Sequence, residues 1–341
     1  LATVKDIDAV IIASPDFTHA EHTVAAHKAG KHVYCEKLMS NTVEGARSMV
    51  VASRESKKLL QLGHQRRSNP RYQHAKDKIV TGNRLLGRIT NITGEWHRAV
   101  SAHLGFPVGK GLSDAKLAEY GYANMHEFRN WRWFRKYAGG PVSDLGAHQI
   151  DIYNWMLGAN PRLCIASGGV DYYKSHEWYD NAFIVFEYET KEGVIRAQYQ
   201  VLTTTSAGGG YYESFMGTEA TINISERSAY TNIYRESSAP SWDDHVARGF
   251  LKRQAAAPKV QSDDAIASYE SAAPEAYALP GDLSKPPHQP HLENFFEAVR
   301  GKAALNCDAR HAFESEAPIY WVNPSALSRE PINFTAEHLS V

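Results

Sequence analysis

Between Asp8 and Pro15 the chain has room for one regular element only. The run Asp8-Ala-Val-Ile-Ile-Ala-Ser14 is continuous, apolar, too short for a buried helix, and closed by proline. Such a run reads as a strand buried on both faces, the habit of parallel sheets. A helix is expected next, from Thr18 to Ala29, with Asp16 or Thr18 as its cap and Gly30 as a left-handed terminal residue. Lys31-His-Val-Tyr-Cys35 reads as a second strand, Val43 to Lys57 as a second helix, and Leu59-Leu-Gln-Leu62 as a third strand. Strand–helix alternation of this kind predicts a doubly wound α/β sheet.

The pattern changes after Tyr72. A helix over Tyr72–Val80 leads into the alternating strand Gly87–Thr93. An irregular stretch rich in Gly and aromatics runs from Ala99 to Tyr137, and a helix from Asp144 to Leu157 is stopped by Gly158 and Pro161. Period-two patterning follows. Ala182, Ile184, Phe186 and Tyr188 share one face of Asn181–Tyr188; Ile195, Ala197, Tyr199 and Val201 share one face of Val194–Thr203, with a turn at Lys191-Glu-Gly193 between them. Tyr211–Met216 and Thr221–Ile224 read as a further pair. Residues 237–290, rich in Ala, Ser and Pro, read as an extended arm or loop, and His291–Val299 as a last amphipathic helix. The fold class is therefore α/β plus α+β. Residues 1–70 belong to a doubly wound parallel sheet, and residues 71–330 to a domain with a mostly antiparallel open sheet.

Composition narrows the function classes. A length of 341 residues suits two domains, and a net charge of -1 gives no electrostatic case for nucleic acid or an anionic membrane. No apolar run approaches the roughly 18 residues of a membrane span. Cys35, Cys164 and Cys307 lie far apart, in neither metal nor redox spacing. No disulfide framework is expected, no metal site is expected, and a reducing compartment is the default.

Four segments carry residues suited to chemistry. Ligands of open α/β sheets bind beyond the carboxyl ends of the strands, where Cys35-Glu36-Lys37 falls. A lysine there can donate a proton or polarise a carbonyl; the plainer alternative is an exposed Glu–Lys pair. In Gly139-Gly-Pro-Val-Ser-Asp144-Leu-Gly-Ala-His148-Gln-Ile-Asp151, a helix would put Asp144 and His148 one turn apart on one face. A carboxylate so placed can orient the imidazole and keep it basic, as a general base requires. The alternative is a capping Asp beside a structural histidine. Asn130-Trp131-Arg132-Trp133-Phe134 could stack on a nicotinamide or sugar ring and clamp a phosphate, or could form a buried aromatic cluster with a snorkelling Arg. Ser14-Pro15-Asp16-Phe17-Thr18-His19 would border a dinucleotide groove, or make an ordinary strand–helix turn.

Taken together and in this order, these segments resemble the Gfo/Idh/MocA oxidoreductase family. The resemblance rests on Asp8–His19, on Gly30-Lys-His-Val-Tyr-Cys-Glu-Lys37, on Gly63-His-Gln-Arg-Arg67, on the Gly139–Asp151 helix, and on Gly217-Thr-Glu-Ala-Thr-Ile-Asn-Ile224. It spans nearly the whole chain. It implies a Rossmann domain, here in part, joined to a mostly antiparallel α/β domain whose open sheet face builds homodimers or homotetramers. It implies NAD or NADP as cofactor and a small carbohydrate as substrate. Lys37 matches the lysine of a Glu-Lys-Pro motif, and Asp144 and His148 match an acid–base pair with His148 as proton acceptor. Ser14, Pro15, His19, Glu36 and Gln65 match the cofactor wall, and Trp131 and Arg132 a pair reaching the nicotinamide end. Leu38 stands where the family usually has Pro. The glycine-rich phosphate loop is expected before residue 1, with at least two further strand–helix units, on the order of 60–80 residues.

The reading that follows is a dehydrogenase acting on a secondary hydroxyl of a sugar, glycoside or cyclitol, with His148 as base and Lys37 and Asp144 holding the oxygen. An alternative on the same scaffold keeps NAD tightly bound and cleaves or epimerises a glycoside through a transient 3-keto intermediate. A non-catalytic binder would not need a base beside a lysine. A cytoplasmic location is expected, or a periplasmic one if an export signal lies upstream.

Overall fold

The computed structural model describes residues 4–207, 210–254, 274–281 and 284–341. Its first unit is a three-stranded parallel sheet of β1 (Ala9–Ile12), β2 (His32–Cys35) and β3 (Leu60–Leu62), in that order. Two helices connect the strands, α1 (Asp16–Lys28) and α2 (Val43–Ser56). Thr42 caps α2 by accepting from the Gly45 amide at 3.1 Å. Helix α1 has Pro15 at its N-cap and no side-chain cap, so neither Asp16 nor Thr18 plays that part. Gly30 takes the left-handed conformation expected of it, at φ 74°.

Strands β2 and β3 are buried as a parallel sheet requires, but β1 is not buried on both faces. Ile12 is buried whereas Ile11 is 53% exposed. Successive side chains of a strand point to opposite faces, and the face of β1 that carries Ile11 is open while the face that carries Ile12 is covered. An open groove lined by Val10, Ile11, Ser14 and His22 runs beside it.

A short helix α3 (Pro70–His74), continued by a π-helical turn over Ala75–Val80, leads to the second unit. This is a ten-stranded sheet. In chain order its strands are β4 (Ile89–His97), β5 (Leu163–Gly169), β6 (Asn181–Thr190), β7 (Gly193–Leu202), β8 (Tyr211–Gly217), β9 (Ala220–Ile224), β10 (Asn232–Arg235), β11 (Lys252–Arg253), β12 (Glu275–Ala278) and β13 (Ile332–Asn333). Only β4–β7 pair in parallel; the other neighbours are antiparallel. Ala182, Ile184, Phe186 and Tyr188 on β6, and Ile195, Ala197, Tyr199 and Val201 on β7, are all buried on one face, as the alternation predicts. The segment read as an extended arm instead holds a one-turn helix α7 (Asp243–Ala247) and strands β11 and β12, which add to the sheet edge beyond β10. Its residues 255–273 lie outside the described residues.

Between the units, α4 (Asp114–Glu119), α5 (Met125–Arg129) and α6 (Ala147–Leu157) follow β4. The helix expected to be last, α8 (Gln289–Val299), is followed by α9 (Ala309–Tyr320), α10 (Val322–Ser328) and α11 (Ala336–Leu339). Helix α9 returns to the small sheet: Ala309, Ala312, Phe313 and Ala317 pack with Val33, Leu60 and Leu62. In space, the division near residue 70 is thus crossed by a later element. No helix among the described residues is long and apolar enough to cross a membrane.

A buried polar network holds α6, α9 and the segment after β3 together. Arg67 binds Asp151 through Nε at 2.9 Å and Nη2 at 2.7 Å, and reaches the Ser315 hydroxyl at 2.8 Å. His64 Nε2 meets Glu316 Oε1 at 2.8 Å, and the Met39 amide donates to Glu316 Oε2 at 2.7 Å. Removing one partner from such a pair strands a buried charge, which costs about 3–5 kcal/mol. Asp151→Ala is therefore expected to lower the urea midpoint by that equivalent, with no change in secondary structure by circular dichroism below the transition.

Candidate active site

The sheet positions the first group. Strand β2 ends at Cys35, and the chain leaves it through Glu36 and Lys37 toward the large unit. The Lys37–Leu38 peptide is cis. Leu38 is buried, and its carbonyl receives the His19 Nδ1 contact at 2.6 Å, while His19 Nε2 lies 2.6 Å from the Ser14 carbonyl. His19 thus ties the loop after β1 to the loop after β2. Both of its ring nitrogens face backbone oxygens, so its part in a cofactor wall is to set the loops. Met39, one residue on, is held by Glu316 as described.

The second group comes from the entrance to α6. Residues Val142–Gly146 form a π-helical turn that continues into α6. Turns of this wide type occur often at functional sites. The Asp144 carbonyl oxygen accepts a short hydrogen bond from Lys37 Nζ, and the Asp144 carboxylate lies 3.6 Å from the same nitrogen. Arg132 Nε approaches Asp144 Oδ1 at 3.3 Å. The carboxylate's partners are therefore Lys37 and Arg132 rather than the His148 ring, which corrects the expected Asp–His pairing. Burial alone would raise the Asp144 carboxyl, but Lys37 and Arg132 outweigh it and hold the group below the usual carboxylate range.

His148 stands at the start of α6, one turn beyond Asp144, half-buried, with its ring 5.8 Å from that of Trp96 in a stacked arrangement. Its Nδ1 is buried and has no hydrogen-bond partner among the described groups. Burial, then the charges of Lys37 and Arg66, hold the imidazole well below its ordinary value of 6.5. Lys37 is thus near enough to act on His148 electrostatically. At neutral pH the ring is uncharged and able to accept a proton.

The remaining expected residues fall around this centre. Pro15 is the N-cap of α1, and Ser14 Oγ accepts from the Thr18 hydroxyl at 2.8 Å. Glu36 receives the Tyr34 hydroxyl at 3.3 Å. Gly63 is packed against Glu36; a Cβ there would stand 2.5 Å from Glu36 Oε2. Gln65 reaches away to Glu226 at 3.1 Å, beside the large sheet. Trp131 packs on the small cluster of Leu117, Tyr122 and Tyr137, and the Arg132 guanidinium lies 4.3 Å from its ring centre. The aromatic cluster and the reach of Arg132 to the site are thus both present. Asp151 belongs to the buried network. A cavity of about 70 Å³ opens at Asp144, bordered by Arg98, Arg132, Trp133, Pro141 and Thr203.

Three groups were not singled out as site residues by the sequence reading. Trp96 covers His148. Arg66 is fully buried and ion-paired with Glu213 and Glu226. Asp16 opens α1 with a carboxyl that is 8% exposed, near Lys37 and Asp144. Burial pushes that carboxyl up to about 7, against the opposing pull of Lys37. The only available signal was the placement of Asp16 directly after Pro15 at a strand end. Among the described residues, no three His, Cys, Asp or Glu side chains are arranged to hold a metal ion.

Family models match both units. The NAD-binding Rossmann fold of the Gfo/Idh/MocA oxidoreductase family matches residues 1–64, and its C-terminal alpha/beta domain matches residues 120–334. The chain belongs to the Gfo/Idh/MocA oxidoreductase family. It is 32% identical over 162 residues to the 1,5-anhydro-D-fructose reductase of Ensifer adhaerens, covering 47% of this chain and 41% of that one. It is 30% identical over 154 residues to inositol 2-dehydrogenase 2 of Saccharopolyspora erythraea, covering 45% and 36%. The matched stretches thus span about two fifths of these relatives' length. A solved levoglucosan dehydrogenase, in complex with NADH and levoglucosan, superposes with a TM-score of 0.71 at 18% identity, covering 98% of this chain and 82% of the other. At that identity the likeness speaks to fold.

Asp16 offers a stability test. Its folded-state value lies above the ordinary 3.8, so between about pH 4 and 7 the folded protein holds a proton that the unfolded chain releases. Wild-type stability therefore falls as pH rises through this window. Asp16→Asn removes the penalty. Its melting temperature is expected to exceed the wild type's at pH 8 and to match it near pH 4, by calorimetry.

Proposed function

We propose that this chain is an NAD(P)-dependent oxidoreductase acting on a secondary hydroxyl of a sugar, glycoside or cyclitol. The observation that carries the reading is one arrangement. A lysine at a parallel strand end touches Asp144, and a neutral imidazole without a partner stands one helical turn further on. The names of the relatives, a reductase of an anhydro-sugar and dehydrogenases of an inositol and of levoglucosan, support the substrate class.

The residues present fit the nicotinamide end of such a cofactor. Ser14, Glu36 and Lys37 surround the strand ends, where α/β sheets bind ligands, and Gly63, lacking a side chain, lets Glu36 pack close beside them. Ser14, Lys37, Trp131 and Arg132 are the residues that would hold it. When bound, it supplies the hydride acceptor.

The chain's own groups account for the proton. Oxidation removes hydride from the carbinol carbon and a proton from its hydroxyl. His148 takes that proton on an imidazole nitrogen. Lys37 donates a hydrogen bond to the carbinol oxygen as negative charge grows on it. Asp144 and Arg132 hold Lys37 in position, and Trp96 limits the freedom of the His148 ring. In reduction the same proton returns from His148 to oxygen.

Purified protein, given NAD or NADP and a panel of sugars, anhydro-sugars and cyclitols, is expected to accumulate reduced nicotinamide. His148→Gln should lower kcat by roughly 10²–10⁴-fold, the usual worth of general-base catalysis. The base must be neutral, so kcat/KM falls as pH drops through its folded value. The acid limb is therefore expected below 6.5. Aryl glycoside cleavage without reduced cofactor would replace this reading with redox-assisted cleavage. No turnover of either kind would overturn both.

Assembly is part of the proposal. Ile165 on β5 pairs with Val185 on β6, next to Phe183, and these side chains are exposed on the sheet face opposite the buried one. A contiguous apolar face of this sort marks an interface. We assign it to a second copy of the chain. Light scattering should give a dimer or tetramer for the wild type and a monomer for the double variant Phe183→Lys, Val185→Lys.

A further inference from the structure

Beside the cavity at Asp144 lies a larger groove that the proposed chemistry does not use. It encloses about 450 Å³ and is lined by Trp96, Arg98, Ala99, Tyr211, Arg227 and Tyr230 among others. Arg98 and Ala99 also border the cavity at Asp144, so the two spaces adjoin across these residues.

The groove has a defined floor. Trp96 and Tyr211 are partners in the β4–β8 register, and their rings stack at 4.4 Å with an interplanar angle of 18°. Trp96 is the same ring that covers His148. Each ring therefore covers one face of the other, and it is the apolar ring edges that the pair offers to a sugar ring. Two cations flank it. Arg98 lies 5.3 Å from the Trp96 ring centre, and Arg227, from the turn after β9, lies 5.4 Å from that of Tyr211.

What distinguishes these arginines is the lack of a direct ion pair, although Arg98 lies near enough to Asp144 to act on its carboxylate. Arg66, which approaches the same two rings at 5.7 and 5.5 Å, is buried and neutralised by Glu213 and Glu226. Glu95 precedes Trp96 on β4 and so points to the opposite sheet face, where it lies 3.7 Å from His97. Among the described residues, neither guanidinium of Arg98 or Arg227 makes a salt bridge. Both are exposed. Two guanidiniums held over aromatic faces, with their hydrogen-bonding edges free, are suited to a planar or tetrahedral oxyanion.

We propose that this groove is a substrate subsite for an oxyanion group, so that the preferred substrate is an anionic carbohydrate. Its ring lies against the edges of Trp96 and Tyr211, its anionic substituent near Arg98 and Arg227, and its reacting carbinol toward His148. The assignment of the carbinol rests on the function proposed above; the binding preference does not. A uronate carboxylate and a phosphate ester share the required chemistry.

Calorimetric titration of the full chain with glucuronate, glucose 6-phosphate and glucose tests this. At least one anion should bind about tenfold or more tightly than glucose, as one charge-assisted contact allows. The anion that gains names the source. Arg98→Gln and Arg227→Gln should each cut the advantage to less than about threefold while leaving glucose binding unchanged, and His148→Gln should preserve it. Equal binding of all three sugars, or an advantage that survives both arginine variants, overturns the subsite. Retained turnover in His148→Gln with the anion preference intact would instead overturn the catalytic assignment alone.

Discussion

The contact between Lys37 and Asp144 joins two separately built parts of the molecule. Lys37 rides on the end of β2, in the small parallel sheet. Asp144 sits in the π-helical turn that opens α6, against the large sheet. Neither sheet alone brings Lys37 and Asp144 to one place. The backbone carbonyl of Asp144 and its carboxylate both address the lysine, so the contact constrains the turn as well as the side chain. Loss of the docking between the units would leave the strand-end lysine in solvent and the imidazole on an unrelated surface.

The charges gathered here also set each other's ionisation. Lys37, Arg66 and Arg98 all act on His148, and together with burial they keep the ring neutral. Lys37 and Arg132 act in the opposite sense on Asp144 and keep it ionised against burial. Asp16, with burial as its main influence, is driven toward the neutral form. Two carboxyls near one lysine thus lie on opposite sides of the ordinary value. Direct cation contact separates them: Arg132 and Lys37 both reach Asp144.

Much of this was legible in the residues because it follows from period and placement. The alternation in β6 and β7 identifies the buried face side chain by side chain. Pro15 marks the strand end where Ser14 lies, and the short apolar run after Gly30 puts Lys37 just beyond the end of β2. Other features were illegible for physical reasons. Helix α9 carries Ser315 and Glu316 on its buried face and Pro318 in its interior, so its sequence lacks a clean apolar stripe. Its burial is decided by distant partners, His64, Arg67 and Met39, that no local pattern shows. The exposure of Ile11 depends on what covers each face of β1, which is not a local property. The orientation of Asp144 was misjudged because helical spacing specifies neighbours, while the choice between His148 and the two cations depends on chains that arrive from elsewhere.

The network beneath the site explains why so many charges are tolerated in the interior. A buried ion pair adds little stability over a well-packed apolar substitute, since the attraction mainly offsets desolvation. What Arg67, Asp151, His64 and Glu316 provide is direction. Glu316 uses its two oxygens on different elements, the His64 ring after β3 and the Met39 amide two residues beyond Lys37. Asp151, on the same helix as His148, is held by Arg67 through two nitrogens. Helix α9 therefore connects the lysine loop on one side with the histidine helix on the other, through bonds that tolerate little sliding. Apolar packing at these positions could preserve the fold while letting the two units shift by fractions of an ångström. Proton transfer between a carbinol and His148, with Lys37 on the same oxygen, is sensitive to displacements of that size. The buried polar groups are best understood as the means by which two independent sheets keep one reaction geometry.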